Sequence, residues 1–559
     1  MRNRLSLAAL TLLPLLASGA RAQTELTKAD SFLRPVLARA SNQSAGWTSV
    51  VVKFSGKLDS NQRQQLTALQ ADTYRNLELI GSAGVRLPTR NLKALAALPF
   101  VEHLSADTTV KKSDEFITEH SNAKAVWNDF GYAGWGVNVA VLDSGIKDNH
   151  PDMAGGVIAN ANFNASGNTE DPCGHGTHVA GIIAGFGCAS SGPGSFRTFY
   201  GVAPGAYLVD VTVLDGKGQG SVTDVIAGIQ WVIANKTALN IRILNLSLGH
   251  PVGESYKTDP LCQAVEAAWK AGIVVVCAAG NTGRQSDTAQ AGQLNEGYGI
   301  NYGSIQSPGN DPYVITVGAV KNVDGNRAND KLATYSSRGP SRLDFILKPD
   351  LVAPGNQVIS TLSNTSYLAT TYGATNAVKQ TEYKTGRDTS SRFYFRLSGT
   401  SMAAPVVSGA AAILLEKEPW LTPDTIKARL MLSADKVSDK GGLYTDPCSY
   451  GAGMLNIYNA IQSTAVATAP AVSPNLYQDG AGNVYINTSS MLGGTQVIWG
   501  VNGVNNLKVV WGNQVIWGTS ANILNASQVI WGSAVWSNQV IWGTNTNTVD
   551  LSSKAIRGE

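Results

Sequence analysis

Charge is scarce in this chain: 15% of its 559 residues are Asp, Glu, Lys or Arg, and the formal net charge is only +3. Nothing in that balance would hold a phosphate backbone, so nucleic acid is not an expected partner. Histidine is scarcer still, with six in the whole sequence, so a role that needs an imidazole has few candidates. The sequence contains no His-Glu-x-x-His motif and no Gly-x-Ser-x-Gly elbow, which argues against a zinc peptidase of that type and against a lipase or esterase proper. Beyond the N-terminus no apolar run approaches the ~18 residues of a membrane-spanning helix, so no transmembrane segment is expected. Cysteines number five, an odd count that leaves at least one thiol unpaired.

The start of the chain reads as an export signal. Arg2 and Arg4 form a positive region, Leu5 to Leu16 an apolar stretch too short to span a bilayer, and Ala20-Arg21-Ala22 a small-residue cleavage frame before Gln23. Residues 1–22 are therefore expected to be a signal peptide and the protein to be secreted, either extracellular or periplasmic. Disulfides persist in that setting. Cys173 with Cys188 and Cys262 with Cys448 are the expected bridges, with Cys277 a buried thiol in an apolar run, although spacing does not determine connectivity.

A chain of this length is compatible with two to four domains. Residues 23–112 alternate short extended and helical stretches: Ser49 to Phe54 extended, Ser60 to Gln70 helical, Leu77 to Leu87 extended, Asn91 to Leu98 helical and Phe100 to Leu104 extended. That pattern predicts a small α+β unit. Residues 113–465 alternate strands rich in β-branched residues with helices such as Thr223 to Ala234 and Asp259 to Ala271, which predicts an α/β fold with a mainly parallel sheet covered by helices on both faces. Residues 466–559 differ. Gln496-Val-Ile-Trp-Gly recurs at Gln514, Gln528 and Gln539, and half of the twelve Trp lie in this tail. These units read as short strands, each too small to bury its own Trp, and predict a β-type repeat extension that packs on itself, on the preceding domain, or on a cell surface or another polymer.

Three frames carry chemistry. Asp143 ends the strand Val139-Ala-Val-Leu-Asp-Ser-Gly145, His175 lies in Gly174-His-Gly-Thr-His-Val-Ala-Gly181, and Ser401 lies in Ser398-Gly-Thr-Ser-Met-Ala-Ala-Pro405. A hydroxyl nucleophile needs a base to take its proton and an acid to orient that base, and these three side chains supply the set. Each alone has a plainer reading: a turn Asp, a helix-entry His, a helix-capping Ser. Cys173, His175 and His178 would also suit a zinc cluster, but no fourth ligand of matching spacing is present.

In these frames, and in their order Asp, His, Ser, the chain resembles the subtilase family over most of residues 120–465. The resemblance implies a serine endopeptidase with Asp143 as orienting acid, His175 as base and Ser401 as nucleophile, and a structural role for His178. It makes the Asn281 amide and the Ser401 N–H the oxyanion donors. It places Ser247-Leu248-Gly249 and Gly218-Gln219-Gly220 along the substrate as paired edges, with Ala278-Ala279-Gly280 completing the primary pocket. It also implies that residues 23–112 are a ferredoxin-like propeptide that inhibits the enzyme, processed between about Ser105 and His120, and that the partners are polypeptide substrates. His250 departs from the family pattern, and the loops Thr282 to Asn310 and Ser360 to Arg396 look long enough to shape the cleft. No cofactor is required. Calcium is only weakly supported: Asp152 matches a common ligand, but Gly187 to Tyr200 carries neither an acidic residue nor Asn.

Overall fold

The computed structural model describes residues 27–30, 33–41, 44, 46–77, 80–107, 116–164, 170–287, 297, 299–386, 392–435, 446–478, 484–486 and 548–550. The chain divides into two compact units, residues 1–112 and 113–559. The expected signal peptide and the Gln-Val-Ile-Trp-Gly repeats lie outside the described residues.

The first unit is a four-stranded antiparallel sheet formed by β1 (Trp47–Phe54), β2 (Asp72–Leu77), β3 (Ser82–Pro88) and β4 (Val101–Ala106) in the order β2-β3-β1-β4. Helices α1 (Ser60–Ala68) and α2 (Leu92–Ala97) supply the two crossovers, giving the βαββαβ sequence of a ferredoxin-like unit. Alternation puts Val50, Val52 and Phe54 of β1 with Val85 and Leu87 of β3 into a core shared with Leu66, Leu92 and Leu95. The extended stretch expected at Leu77 to Leu87 is β3, and β2, which ends at Leu77, was not expected. The polar residues of β2 show no alternation, which hid it, and the reversal falls beside Gly81, at φ +59°. Asp59, rather than Ser60, caps α1: its carboxylate accepts the Gln62 N–H and Gln62 reaches back to the Asp59 N–H.

The second unit is built on an eight-stranded sheet. Its strands are β5 (Asn138–Asp143), β6 (Val157–Asn162), β7 (Tyr207–Thr212), β9 (Ile241–Leu246), β10 (Val274–Ala278), β11 (Ile315–Lys321), β12 (Lys331–Leu332) and β13 (Leu351–Pro354). They run in the order β12-β11-β10-β9-β5-β7-β6, with β13 also on β11, and every pairing is parallel except β12. The expected parallel sheet is thus observed. A parallel sheet is apolar on both faces because crossover helices cover it, and β10 is buried at all five positions.

Three helices matter for function: α3 (His175–Ala184), α4 (Val222–Asn235) and α6 (Thr400–Lys417), with α5 (Pro260–Lys270) between them in sequence. Ser221 caps α4 through the Asp224 N–H; Asp259 caps α5, with Pro260 at its first position. Helix α6 is buried from Thr400 to Leu415 and packs on β9, β10, β11 and α3, so it carries no amphipathic stripe.

The second unit continues past the expected boundary at residue 465. Ala471 N–H donates to Asp424, Ser473 receives a bond from the buried Lys427 ammonium, and Leu476 enters the core. Farther on, the tail strand Thr548–Asp550 pairs antiparallel with β8 (Gln219–Ser221). The expected disulfides are not formed: all five cysteines are free. Cys262 is instead buried against Asn310, with its sulfur 3.3 Å from Oδ1, and Cys173, Cys277 and Cys448 are buried singly while Cys188 is exposed.

Gly176 shows how tightly α3 is fitted to the end of β5. A Cβ there would lie 2.2 Å from the Gly145 carbonyl oxygen and 3.1 Å from Asp143 Cβ. Gly176→Ala is therefore expected to cost about 1–3 kcal/mol and to abolish most activity by pushing His175 away from Asp143. Urea unfolding and ester hydrolysis would check it, and a fully stable, active variant would contradict the fit.

Candidate active site

Asp143 is the last residue of β5, at the carboxyl edge of the sheet where open α/β folds gather their sites. His175 opens α3, and its Nδ1 lies 2.7 Å from Asp143 Oδ1 with both side chains almost fully buried. The same Oδ1 accepts the Ser144 N–H at 2.8 Å. His175 Nε2 is buried and has no hydrogen-bond partner among the described residues. An imidazole fixed by Nδ1–H to a carboxylate presents Nε2 as a lone-pair acceptor.

Ser401 is the second residue of α6. Four residues on, Pro405 lacks the N–H that would close an intrahelical bond to the Ser401 carbonyl. Ser247 takes that carbonyl instead, donating its Oγ–H at 2.8 Å, and the Ser401 hydroxyl donates to the Ser247 carbonyl at 3.0 Å. Pro405 lies in the second turn of the helix. The start of α6 is thereby bolted to the segment Ser247-Leu248-Gly249 that follows β9.

Asn281 follows β10 and is nearly buried. Its Oδ1 accepts both the Thr400 N–H at 2.9 Å and the Thr400 hydroxyl at 3.1 Å. With the oxygen committed, the amide NH2 is the face left to donate. The Gly280 N–H donates to Thr400 Oγ1 at 3.0 Å, so Ala278-Ala279-Gly280 is tied to the helix start as well. Thr400 was not singled out from the sequence, although it adjoins Ser401; its role depends on Asn281, 119 residues away.

Behind the pair lies a set of buried carboxylates that the sequence reading also missed. Asp171 accepts the Ser144 hydroxyl at 2.8 Å, the Gly174 N–H at 2.7 Å and the Thr177 N–H at 2.8 Å. It joins the turn after Asp143 to the entrance of α3, and burial pushes its carboxyl up. Asp210, on β7, accepts the Ile146 N–H at 3.0 Å; burial, aided by Asp171 and Asp143, raises its pKa to about 8. Asp210 is thus protonated at neutral pH.

His178, one turn beyond His175, is buried beside the Val358 and Phe395 carbonyls, at 3.1 and 3.0 Å from Nε2, and burial lowers its pKa to about 3. It is a neutral donor that clamps strands β14 (Val358–Thr361) and β15 (Tyr394–Leu397), and burial holds Cys173 as a thiol. The alternative zinc cluster is therefore not assembled. At the weakly supported calcium position, Asp152 Oδ1 accepts the Ala189 N–H and Oδ2 the Tyr394 hydroxyl, both at 2.7 Å. No set of three or more His, Cys, Asp or Glu suited to a metal occurs among the described residues. Both Asp152 oxygens thus already accept hydrogen bonds, and the described residues there supply no set of ligands that fits calcium.

Of the two expected substrate edges, Ser247-Leu248-Gly249 runs along the start of α6. The other, Gly218-Gln219-Gly220, overlaps β8; the Asp215 N–H donates to the Gln219 carbonyl, and the Val213 N–H donates to the Asp143 carbonyl. The tail strand Thr548–Asp550 lies on that second edge.

The subtilase family profile matches residues 134–453. The chain belongs to the subtilase family. It is a subtilisin-like serine endopeptidase. Among relatives of this subtilase, Serine protease AprX of Bacillus subtilis (strain 168) is 39% identical over 362 residues, covering 63% of this chain and 72% of the relative. Subtilisin E of the same organism is 31% identical over 434 residues, covering 76% and 93%. A crystal structure of a cold adapted subtilisin-like serine proteinase, 27% identical, aligns over 58% of this chain and 90% of the other with a TM-score of 0.39. Subtilases need no organic cofactor.

The protonation of Asp210 has a definite sign. Its folded pKa of about 8 exceeds the free value of 3.8, so the folded subtilase holds a proton that the unfolded chain releases. Between those values stability falls as pH rises. Asp210→Asn is expected to remove that loss, by on the order of 1 kcal/mol per pH unit in the window. The variant's Tm should gain on wild type from pH 5 to pH 9; parallel Tm curves would mean that Asp210 is ionised in the fold.

Proposed function

We propose that this subtilase is a secreted endopeptidase made as a self-processing zymogen, with Asp143, His175 and Ser401 as its catalytic triad and Asn281 and the Ser401 N–H as its oxyanion donors. The observation that carries the assignment is the buried 2.7 Å contact between His175 Nδ1 and Asp143, which leaves Nε2 unpartnered. Rotation of the Ser401 hydroxyl away from the Ser247 carbonyl would offer its proton to that nitrogen, and such catalytic bonds commonly tighten only when substrate is present.

In the acylation step Ser401 Oγ attacks the scissile carbonyl carbon while His175 Nε2 takes the hydroxyl proton. Asp143 stabilises the imidazolium without accepting its proton. Negative charge on the carbonyl oxygen meets the Asn281 NH2, held by Thr400, and the Ser401 N–H, one of the first-turn donors without an intrahelical partner. The imidazolium gives its proton to the leaving amine as the C–N bond breaks, and water repeats the sequence to free the acid. A peptide laid as a strand on Ser247 to Gly249 and Gly218 to Gly220 would be held by its main chain, which suits broad specificity.

The propeptide reading is supported by the separate core of the unit ending at residue 112, and export by the residue pattern of 1–22. The Trp-rich tail is assigned to binding a cell surface or another polymer, a role compatible with an active enzyme.

Intact mass and N-terminal sequencing of wild type beside Ser401→Ala, before and after a fluorophosphonate probe, test the proposal. Wild type is expected to lose residues up to the 105–120 region and gain the probe's mass. The variant should do neither, with kcat lower by on the order of 10⁶, the magnitude established for subtilisin itself. Two full-length, unlabelled proteins would refute the zymogen and the nucleophile together.

The tail strand gives a separate expectation. Deleting residues 548–559 should raise kcat/KM for peptides by the factor that strand docking withholds. Equal values for the two chains would show that substrate does not use the β8 edge.

A further inference from the structure

Three side chains from elsewhere in the unit hold three consecutive residues at the start of β15. His150 Nδ1 accepts the Asp152 N–H at 3.0 Å, so its Nε2 carries the proton and donates to the Phe393 carbonyl at 2.9 Å. The Tyr394 hydroxyl meets Asp152 Oδ2 at 2.7 Å, and His178 Nε2 lies 3.0 Å from the Phe395 carbonyl. The partner strand β14 is bonded to α3 in return, with Ser360 and Thr361 donating their hydroxyls to the His178 and Thr177 carbonyls, both at 2.7 Å. Beyond β15 the chain stays fastened: Ser398 Oγ accepts the Gln357 N–H and the Gly399 N–H donates to the Gly355 carbonyl, each at 2.8 Å. A continuous path of bonds thus joins the helix that carries His175 to the residues that enter Ser401.

The centre of that path is a closed network in which Asp152, Ser190 and Tyr394 are all buried. Tyr394 Oη lies 2.7 Å from Ser190 Oγ as well as from Asp152. A carboxylate only accepts, so the single Tyr394 proton goes to Asp152 and the Ser190 hydroxyl donates to Tyr394. Ser190 Oγ accepts the Phe199 N–H at 2.9 Å, and the Tyr394 ring packs edge-on against Phe199 and Tyr383, with centroids 4.8 and 5.4 Å away. Loop Gly187 to Tyr200, the turn at Asp152 and strand β15 therefore meet at one hydroxyl. What the loop presents to Asp152 Oδ1 is the Ala189 N–H, at 2.7 Å. A calcium ion takes oxygen ligands, and a donor in that position opposes it.

We infer that Tyr394 is a positioning residue for the reaction: joined to Asp152 and Ser190, its hydroxyl fastens the strand that leads into Ser401 and holds the nucleophile in register with His175 without a bound cation. The inference rests on the peptidase assignment above. Tyr394 acts through β15 and touches none of the proposed triad. Removing its hydroxyl leaves a buried Asp152 oxygen and the Ser190 proton without their partner, and such unpaired groups are relieved by local rearrangement. A shift of about 1 Å at the reacting atoms is enough to cost on the order of 10²-fold in rate.

Tyr394→Phe keeps the ring and its packing, and active-site titration with the fluorophosphonate counts the folded sites. Per titrated site at 25 °C, kcat for a peptidyl p-nitroanilide and the rate of Ser401 labelling are expected to fall by about tenfold or more, with KM within about twofold of wild type. Wild-type Tm and kcat are expected to be the same in excess EGTA and in excess calcium. Should Tyr394→Phe not fold, Ser190→Ala, which removes only the donor to Tyr394, is expected to move kcat in the same direction. A lower Tm with kcat per site unchanged would reduce the hydroxyl to a structural role and overturn the positioning. Loss of wild-type Tm or kcat in EGTA would overturn the cation-free fastening. In both cases labelling of wild type at Ser401 leaves the peptidase assignment standing; if wild type does not label, assignment and inference fall together.

Discussion

The catalytic unit depends on keeping one carboxylate, Asp143, beneath an imidazole in a place with almost no water. An isolated buried charge is costly, and the fold offsets that cost locally. Ser144 N–H and His175 Nδ1 both address Asp143 Oδ1, and the neighbouring acid Asp210 stays protonated at neutral pH. Asp171 accepts three bonds that join the turn after β5 to the entrance of α3. Gly176 allows the approach, since there is no room for a Cβ between α3 and the Gly145 carbonyl. The position of the pair is therefore set by a small group of contacts.

The Ser401 side of the site is organised by an omission. A proline four residues after Ser401 removes one helical bond, and the released carbonyl becomes the attachment point for Ser247. Thr400 does similar work on the other flank by taking up the Asn281 oxygen and the Gly280 N–H. Two segments that leave the sheet after β9 and β10 are thus bonded to consecutive residues of one buried helix.

Much of this was legible in the residues. β-Branched runs separated by capped helices announced the parallel sheet, because a strand buried on both faces has little alternative composition. The frames around Asp143, His175 and Ser401 pointed to the proposed reaction, and Ser247 and Gly280 are bonded to Ser401 and Thr400 at the start of α6. Less legible were features without a local signature. β2 is polar, shows no alternation, and lies before the extended run that was expected. Spacing suggested disulfides, yet each cysteine is held in its own surroundings. Asp152 looked like a cation ligand until Tyr394, 242 residues later, was seen to bond it.

The sequence by itself determined the fold class and singled out the side chains proposed to carry the reaction, because periodicity, capping and short motifs act over a few neighbouring residues. Only the tertiary structure decided that Thr400 aims the Asn281 amide, that the second unit continues to Leu476, and that His150, Asp152 and His178 converge on residues 393 to 395. Those are contacts between residues tens to hundreds of positions apart, selected by packing on a shared core, and no local pattern records which partner will arrive.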